Sequence, residues 1–244
     1  MRTHFSPCPR GSRPRLPVFF ICLFAICPFR LQAYCPDPEI RPNGEFFKAN
    51  SVFTGRVISA RTVPDKGDAE GGWFYTLRVN ETFRGPVLRE FTVFTGDDSN
   101  RFPLEVGSKY LLFAYRRHHR FVIDDCGNSA LLSEANGSLS TLRNLRDGKL
   151  PSEIEGWIAA ETEEIDVSGV AVAIQGPSKR YSAISDKDGW FHFQAPPGNY
   201  RVDFGSKQYY VNSLDDLWYN PGHFLLHSGE CVSLQLVSAR HVTR

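Results

Sequence analysis

The stretch Trp73 to Arg84, WFYTLRVNETFR, restricts the fold more than any other part of the chain. Tyr75, Leu77 and Val79 alternate with Thr76, Arg78 and Asn80, and a period of two places one set on a buried sheet face and the other in solvent. A helix would scatter the same apolar residues around its whole surface. Comparable runs rich in β-branched and aromatic residues are Asn50–Thr62, Leu88–Thr95, Lys109–Arg116 and Phe121–Asp124. Gly- and Asp-rich segments at Asp65–Gly72 and Gly96–Asn100 separate them. Five short antiparallel strands with irregular loops predict a small closed barrel.

The pattern then changes period. In SLSTLRNLRDG, residues 138–148, Leu139, Leu142 and Leu145 recur at helical spacing, Ser138 or Ser140 can cap, and Gly148 can stop the helix. Pro151 follows, which puts a joint near residues 146–153. Beyond it the period returns to two, in GVAVAIQG (169–176), in Phe191/Phe193 and in Tyr200/Val202/Phe204. Pro197-Gly198 fits the centre of a type II turn, since proline fixes φ and glycine accepts φ > 0. About 90 residues of such strands predict a two-sheet sandwich. The expected fold is therefore all-β with a short linking helix, a five-stranded barrel followed by an antiparallel β-sandwich.

Residues 1–33 are expected to stand outside that fold. Four arginines precede an apolar run from Leu16 to Phe29, and Leu31-Gln32-Ala33 offers a small-residue cleavage site, the make-up of a secretory signal. The run is shorter than the roughly 20 apolar residues that span a bilayer, so no transmembrane anchor is expected. Bulky Tyr34 before Cys35 does not suit a lipid anchor. The mature chain is expected to begin at Tyr34, exported to the periplasm, the cell envelope or the medium. Losing the five leader arginines leaves 23 basic against 27 acidic residues, a net charge of −4. That balance argues against nucleic acid as a partner, because such binding rests on neutralising phosphates. Three cysteines go with the leader, leaving Cys35, Cys126 and Cys231. An odd count in an oxidising compartment leaves one thiol over.

Few residues offer chemistry. In SDKDGWFHF (185–193), Asp186, Asp188 and Gly189 suggest a calcium loop. A loop with Gly189 at its sixth position would begin at Ile184 and end at Ala195, so the first and last ligands are apolar. Asp-Gly between alternating strands instead predicts the bend of a hairpin. His223 and His227 in HFLLH have the spacing of a helical zinc pair, but Phe224 stands where the general base belongs. RRHHR, 116–120, reads as a solvated hairpin tip, and Asp97-Asp98 and Asp124-Asp125 as polar loops. Asn80 and Asn136 head glycosylation triplets. No nucleophile elbow, phosphate loop or HExxH occurs. The expectation is a protein without catalytic residues, metal or cofactor.

Two stretches resemble known families. Residues 34–137 resemble the bacterial relatives of tissue inhibitors of metalloproteinases, on CPDPE, SVFTGRVIS, YTLRVNETFRG, FPLEVGSKYLLFAY and DDCGNSALLSEA. That resemblance implies a netrin-like OB-fold and a Cys35–Cys126 disulfide. Inhibitors of this kind chelate a protease zinc through a cysteine at the mature N-terminus. Here Tyr34 precedes Cys35, shifting the amine by about 3.3–3.6 Å, and Asp37 replaces the second cysteine. Residues 154–244 resemble a carboxypeptidase regulatory-like domain, on Ile154–Ile158, Gly169–Ile174, Asp186–Phe193 and Pro196–Tyr200, which implies a transthyretin-like accessory sandwich. Residues 138–153 are the helical linker between the two.

Both resemblances imply accessory modules, so the expected function is a non-enzymatic exported binding or scaffolding protein, with an extracytoplasmic protein or an envelope polymer as partner. The alternative is a proteinase inhibitor directed at an extracytoplasmic zinc metalloprotease. Cys231 is the free thiol. In GECVSLQLV (229–237) the alternation sends Val232, Leu234 and Leu236 to the core and Cys231 to the polar face. The two readings of that thiol are an inert, partly shielded group and a covalent dimer through Cys231.

Overall fold

The computed structural model describes residues 40–65, 71–99, 101–123, 125–160, 166–203, 209–211 and 222–238. These lie within one compact unit. The leader, Cys35, Asp124 and Phe204 lie outside the described residues.

The described chain opens with a short helix, α1 (Pro42–Lys48). Pro42 at its first position is pre-set for helical φ and lacks the N–H that would be unpaired there. Then come β1 (Ser51–Val63), β2 (Gly72–Arg84), β3 (Glu90–Gly96), β4 (Lys109–Arg117), β5 (Arg120–Val122) and the two-residue β6 (Ala130–Leu131). The first five match the expected strands in order. Their pairings run β1–β2–β3–β5–β4 and return to β1, a closed circuit. Only the β3–β5 contact, Phe94 with Val122, is parallel within it. The register of β1 on β2 shifts at Val52/Phe53, Thr54/Gly55 and Val57/Ser59. Such irregularities coil a strand, as closing so few strands requires. Phe53, Val57, Tyr75, Leu77, Phe91, Val93, Leu112 and Ile123 fill the interior.

The expected helix is α2 (Asn136–Arg146). It is more than a joint. Leu139 and Leu142 are buried against Val52, Leu111 and Phe113 on the opposite side of β1 and β4, so the helix seals the outer face of the first half. Gly148, at φ +67, follows its end.

The second half has two four-stranded sheets. One is ordered β10 (Trp190–Gln194), β7 (Glu153–Ala159), β14 (Cys231–Ser238), β12 (Tyr209–Val211); the other is β13 (His223–Leu226), β11 (Gly198–Asp203), β8 (Ala171–Gln175), β9 (Arg180–Ile184). Among antiparallel partners, the β7–β14 pair alone runs parallel in the described sheets of this half. Ile154, Ile158, Phe191 and Leu234 from the first sheet meet Val172, Ile174, Tyr200, Val202 and Leu226 from the second. Along β14 the alternation holds, with Leu234 in that core and Val232 packed against it.

Two local expectations need correction. The Asp186–Gly189 bend does not close a hairpin, because β9 pairs with β8 and β10 pairs with β7. It is a corner carrying the chain from one sheet to the other. Asp186 Oδ1 accepts from the backbone N–H of Asp188 and of Trp190, both at 2.9 Å, and Gly189 takes φ +84. Tyr181 and Phe193 therefore stack across the core, 6.2 Å apart at 10°, rather than lying side by side on one face. Gly198 has φ +154 and already pairs with Leu226 in β11, where a type II turn would need about +80°.

Candidate functional site

Helix α1 carries a polar network that reaches both halves of the described chain. On one side Glu45, fully buried, accepts from the Tyr115 hydroxyl at 2.7 Å and from the Asn128 backbone N–H and Nδ2, both at 2.6 Å. Asn128 Nδ2 also donates to the Ile40 carbonyl at 2.7 Å. Several donors supply the hydrogen bonds that a buried carboxylate must have. These bonds pin α1 to the first half.

The helix is equally engaged with the second half. Asn43 Nδ2 donates to the Gly229 carbonyl at 2.9 Å, and Gly229 N–H donates to Ser152 Oγ at 2.9 Å. The guanidinium of Arg41 bridges two strand-β7 carboxylates, 3.2 Å to Glu153 and 2.5 Å to Glu155. Ser233 Oγ donates to the other oxygen of Glu155 at 3.2 Å. Phe47 stacks on the His227 ring, 4.5 Å apart at 8°, and His227 Nδ1 lies 2.7 Å from Glu230 Oε2. Gly44 makes this closeness sterically possible. A Cβ there would stand 2.4 Å from the Cys231 carbonyl oxygen, well inside contact distance, so only glycine fits.

Cys231 opens β14 on the polar side, opposite Glu153, as its position in the alternation predicts. It is a free thiol, yet only 3 % exposed, because α1 lies over that end of the sheet. Burial pushes its pKa well above the ordinary thiol value, and the nearby Glu155 carboxylate adds to the shift. A thiol held protonated is a poor nucleophile for disulfide exchange.

The same sheet face continues beyond the reach of α1. One step along β7 from Glu155 is Trp157, register-paired with Trp190 on edge strand β10. The two indoles are 6.5 Å apart with planes at 30°. Trp157 Nε1 donates to the Asp188 carbonyl at 3.0 Å, which ties its ring to the corner turn, while Trp190 keeps 40 % exposure. His192, half-exposed, lies next on β10, with Nε2 3.6 Å from Glu153. No individual residue here suggested a site in the sequence, since both tryptophans read as ordinary strand aromatics.

The other candidates are spread over the surface. Arg116 and Arg117 end β4, His118-His119 turn and Arg120 starts β5, so RRHHR is the expected hairpin tip. His118 takes φ +54 there, and the Arg120 guanidinium lies over the Phe94 ring at 3.7 Å. His223 opens strand β13 and His227 follows its end, so the pair does not sit on a helical turn. Asp97, Asp98 and Asp125 are exposed in loops, Asn80 is exposed on β2, and Asn136 starts α2. Cys126 sits in the turns after β5 and is not a free thiol. Among the described residues, no three His, Cys, Asp or Glu side chains are grouped to hold a metal, and no helix is long and apolar enough to cross a membrane.

No protein-family model matches the chain, and no curated protein matches it. Among solved structures, the chain is similar to one titled "The Bacillus anthracis TIE protein". They share 11 % identity at a TM-score of 0.28, over 79 % of this chain and 35 % of that one. The chain thus spans about a third of that protein's length, and a similarity of this degree carries no argument about fold or function.

Proposed function

We propose that the chain is a non-enzymatic exported binding or scaffolding protein, in which a netrin-like barrel and a regulatory-like sandwich are held as one body to present a surface. The partner is an extracytoplasmic protein or an envelope polymer. The observation that supports this reading is the clasp at α1. Its buried side chains are committed to contacts within the chain, to Tyr115 and Asn128 on one side and to Gly229 on the other. A polar segment spent on internal contacts suits a scaffold better than a reactive arm.

The clasp also bears on the alternative of a zinc-protease inhibitor. With cleavage after Ala33, six residues separate the new N-terminus from Ile40, a reach of about 20 Å at full extension. An amine displaced by Tyr34 would need a binding mode other than N-terminal chelation. A Cys35–Cys126 bridge is retained in this proposal, with Cys231 left free. Differential alkylation before and after reduction should label Cys231 only on unfolding, and Cys35 and Cys126 only on reduction.

The function is tested on the exported full-length protein. Intact mass should give Tyr34 as residue one, a zinc endopeptidase should keep its activity, and the protein should sediment with cell-envelope material. A chain beginning at Cys35 that inhibits the protease would replace this reading with the inhibitor.

A further inference from the structure

We infer that the open end of the β10–β7–β14 face, at Trp190 and Trp157, is a binding platform for a neutral saccharide chain. The inference rests on the binding-protein reading above and gives its envelope polymer a chemistry. Large aromatics are normally placed to bury their area, and the inward neighbours Phe191 and Ile158 do so. Trp190 instead stands on an edge strand at 40 % exposure, with no strand of its sheet beyond it among the described residues. Its neighbour is not free to fold over it, because Trp157 Nε1 is fixed to the Asp188 carbonyl. The result is a pre-set indole surface, which loses little conformational freedom on binding.

Charge selects the occupant. Among the described residues, four carboxylates lie on this face and its corner turn, against the permanent cations Arg41 and Lys187. The excess of negative charge repels phosphate- or uronate-bearing polymers. Nor do these carboxylates await a cationic ligand. Glu153 contacts Arg41 and His192, Glu155 contacts Arg41 and Ser233, Asp186 caps the corner, and Asp188 pairs with Lys187. What remains is an aromatic face with hydrogen-bonding side chains beside it, His192 and Gln194 on β10. A pyranose ring has the matching form, an apolar C–H face to lie against an indole and a rim of hydroxyls for hydrogen bonds.

The test uses the full mature protein with maltohexaose, cellohexaose and N-acetylchitohexaose as probes, followed by calorimetry and tryptophan fluorescence. At least one hexaose should bind, with Trp190→Ala weakening it about tenfold or more and Trp190→Phe retaining most of the affinity. The melting temperature of Trp190→Ala should stay at the wild-type value, which separates loss of the platform from loss of the fold. Absence of binding to all three overturns the inference, as does a hexaose whose affinity Trp190→Ala leaves unchanged. Self-association that Trp190→Ala abolishes, without saccharide binding, would assign the face to a second copy. Sedimentation with cell envelope distinguishes the levels: if it persists without hexaose binding, only the saccharide assignment fails; if it too is absent, the binding-protein reading fails with it.

Discussion

The two β-rich halves enclose their cores in opposite ways. In the first, five strands pair in a closed circuit, and α2 covers the outer face of β1 and β4 with Leu139 and Leu142. In the second, two sheets stack and keep their edges, and the outer face of one is covered by α1 only at the Cys231 end. The difference shows where a partner can be received. A closed circuit satisfies its own backbone and conceals its apolar surface, whereas an open sheet with a half-covered face leaves aromatic surface in reach. Function is accordingly expected on the sandwich, with the first half as its mount.

The sharpest break should come from Glu45→Ala. It removes the carboxylate that three part-buried donors share, the Asn128 backbone N–H and Nδ2 and the Tyr115 hydroxyl, at a cost of about 3–5 kcal/mol. Denaturant unfolding of variant and wild type would measure it, and Glu45→Gln should recover part of the loss. On the sandwich side, Ile154→Ala should cost about 3 kcal/mol by opening a cavity under β7 while leaving Trp190 in place.

A smaller effect is expected at the clasp. Arg41→Ala strands the mostly buried Glu155, but Arg41 is itself half-exposed and screened, so about 1 kcal/mol is expected, shrinking as salt is added. Cys231 supplies a pH test. Its folded pKa is raised, so its stabilising contribution is complete below the ordinary thiol value near 9 and is lost as pH rises above it, where the unfolded chain alone ionises. Cys231→Ser should flatten the alkaline fall in stability. The Tyr200 hydroxyl, donating to the Pro196 carbonyl and pushed up to about 12 chiefly by burial, adds a weaker fall of the same sign at higher pH. The least change is expected from His118→Gly, which relieves φ +54 at the β4–β5 tip and should shift stability by less than about 1 kcal/mol.

Much of the architecture was legible because alternation reports it directly. The strand runs around Tyr75 and Leu77, the Leu139/Leu142 helix and the inward Leu234 all follow from period alone. Helix α1 was not legible. Its buried residues are Asn43, Gly44 and Glu45, so it has no apolar stripe, and its reason to exist lies in partners some 70 to 190 positions away. At the Asp186–Gly189 bend the sequence predicts the turn but not its role as a corner between sheets, since Asp-Gly fixes the reversal and not the sheet each flanking strand joins. The exposure of Trp190 is not legible for a related reason. Its alternation partner Phe191 is buried and equally aromatic, and only the sheet order makes β10 an edge.

Helix α1 couples the two halves, and scanning calorimetry of the full mature protein tests that coupling directly. The wild type should unfold in one transition, and an Arg41→Ala, Asn43→Ala double variant should separate the sandwich into a transition of its own. Two well-resolved transitions in the wild type, or a double variant that still melts as one, would contradict it.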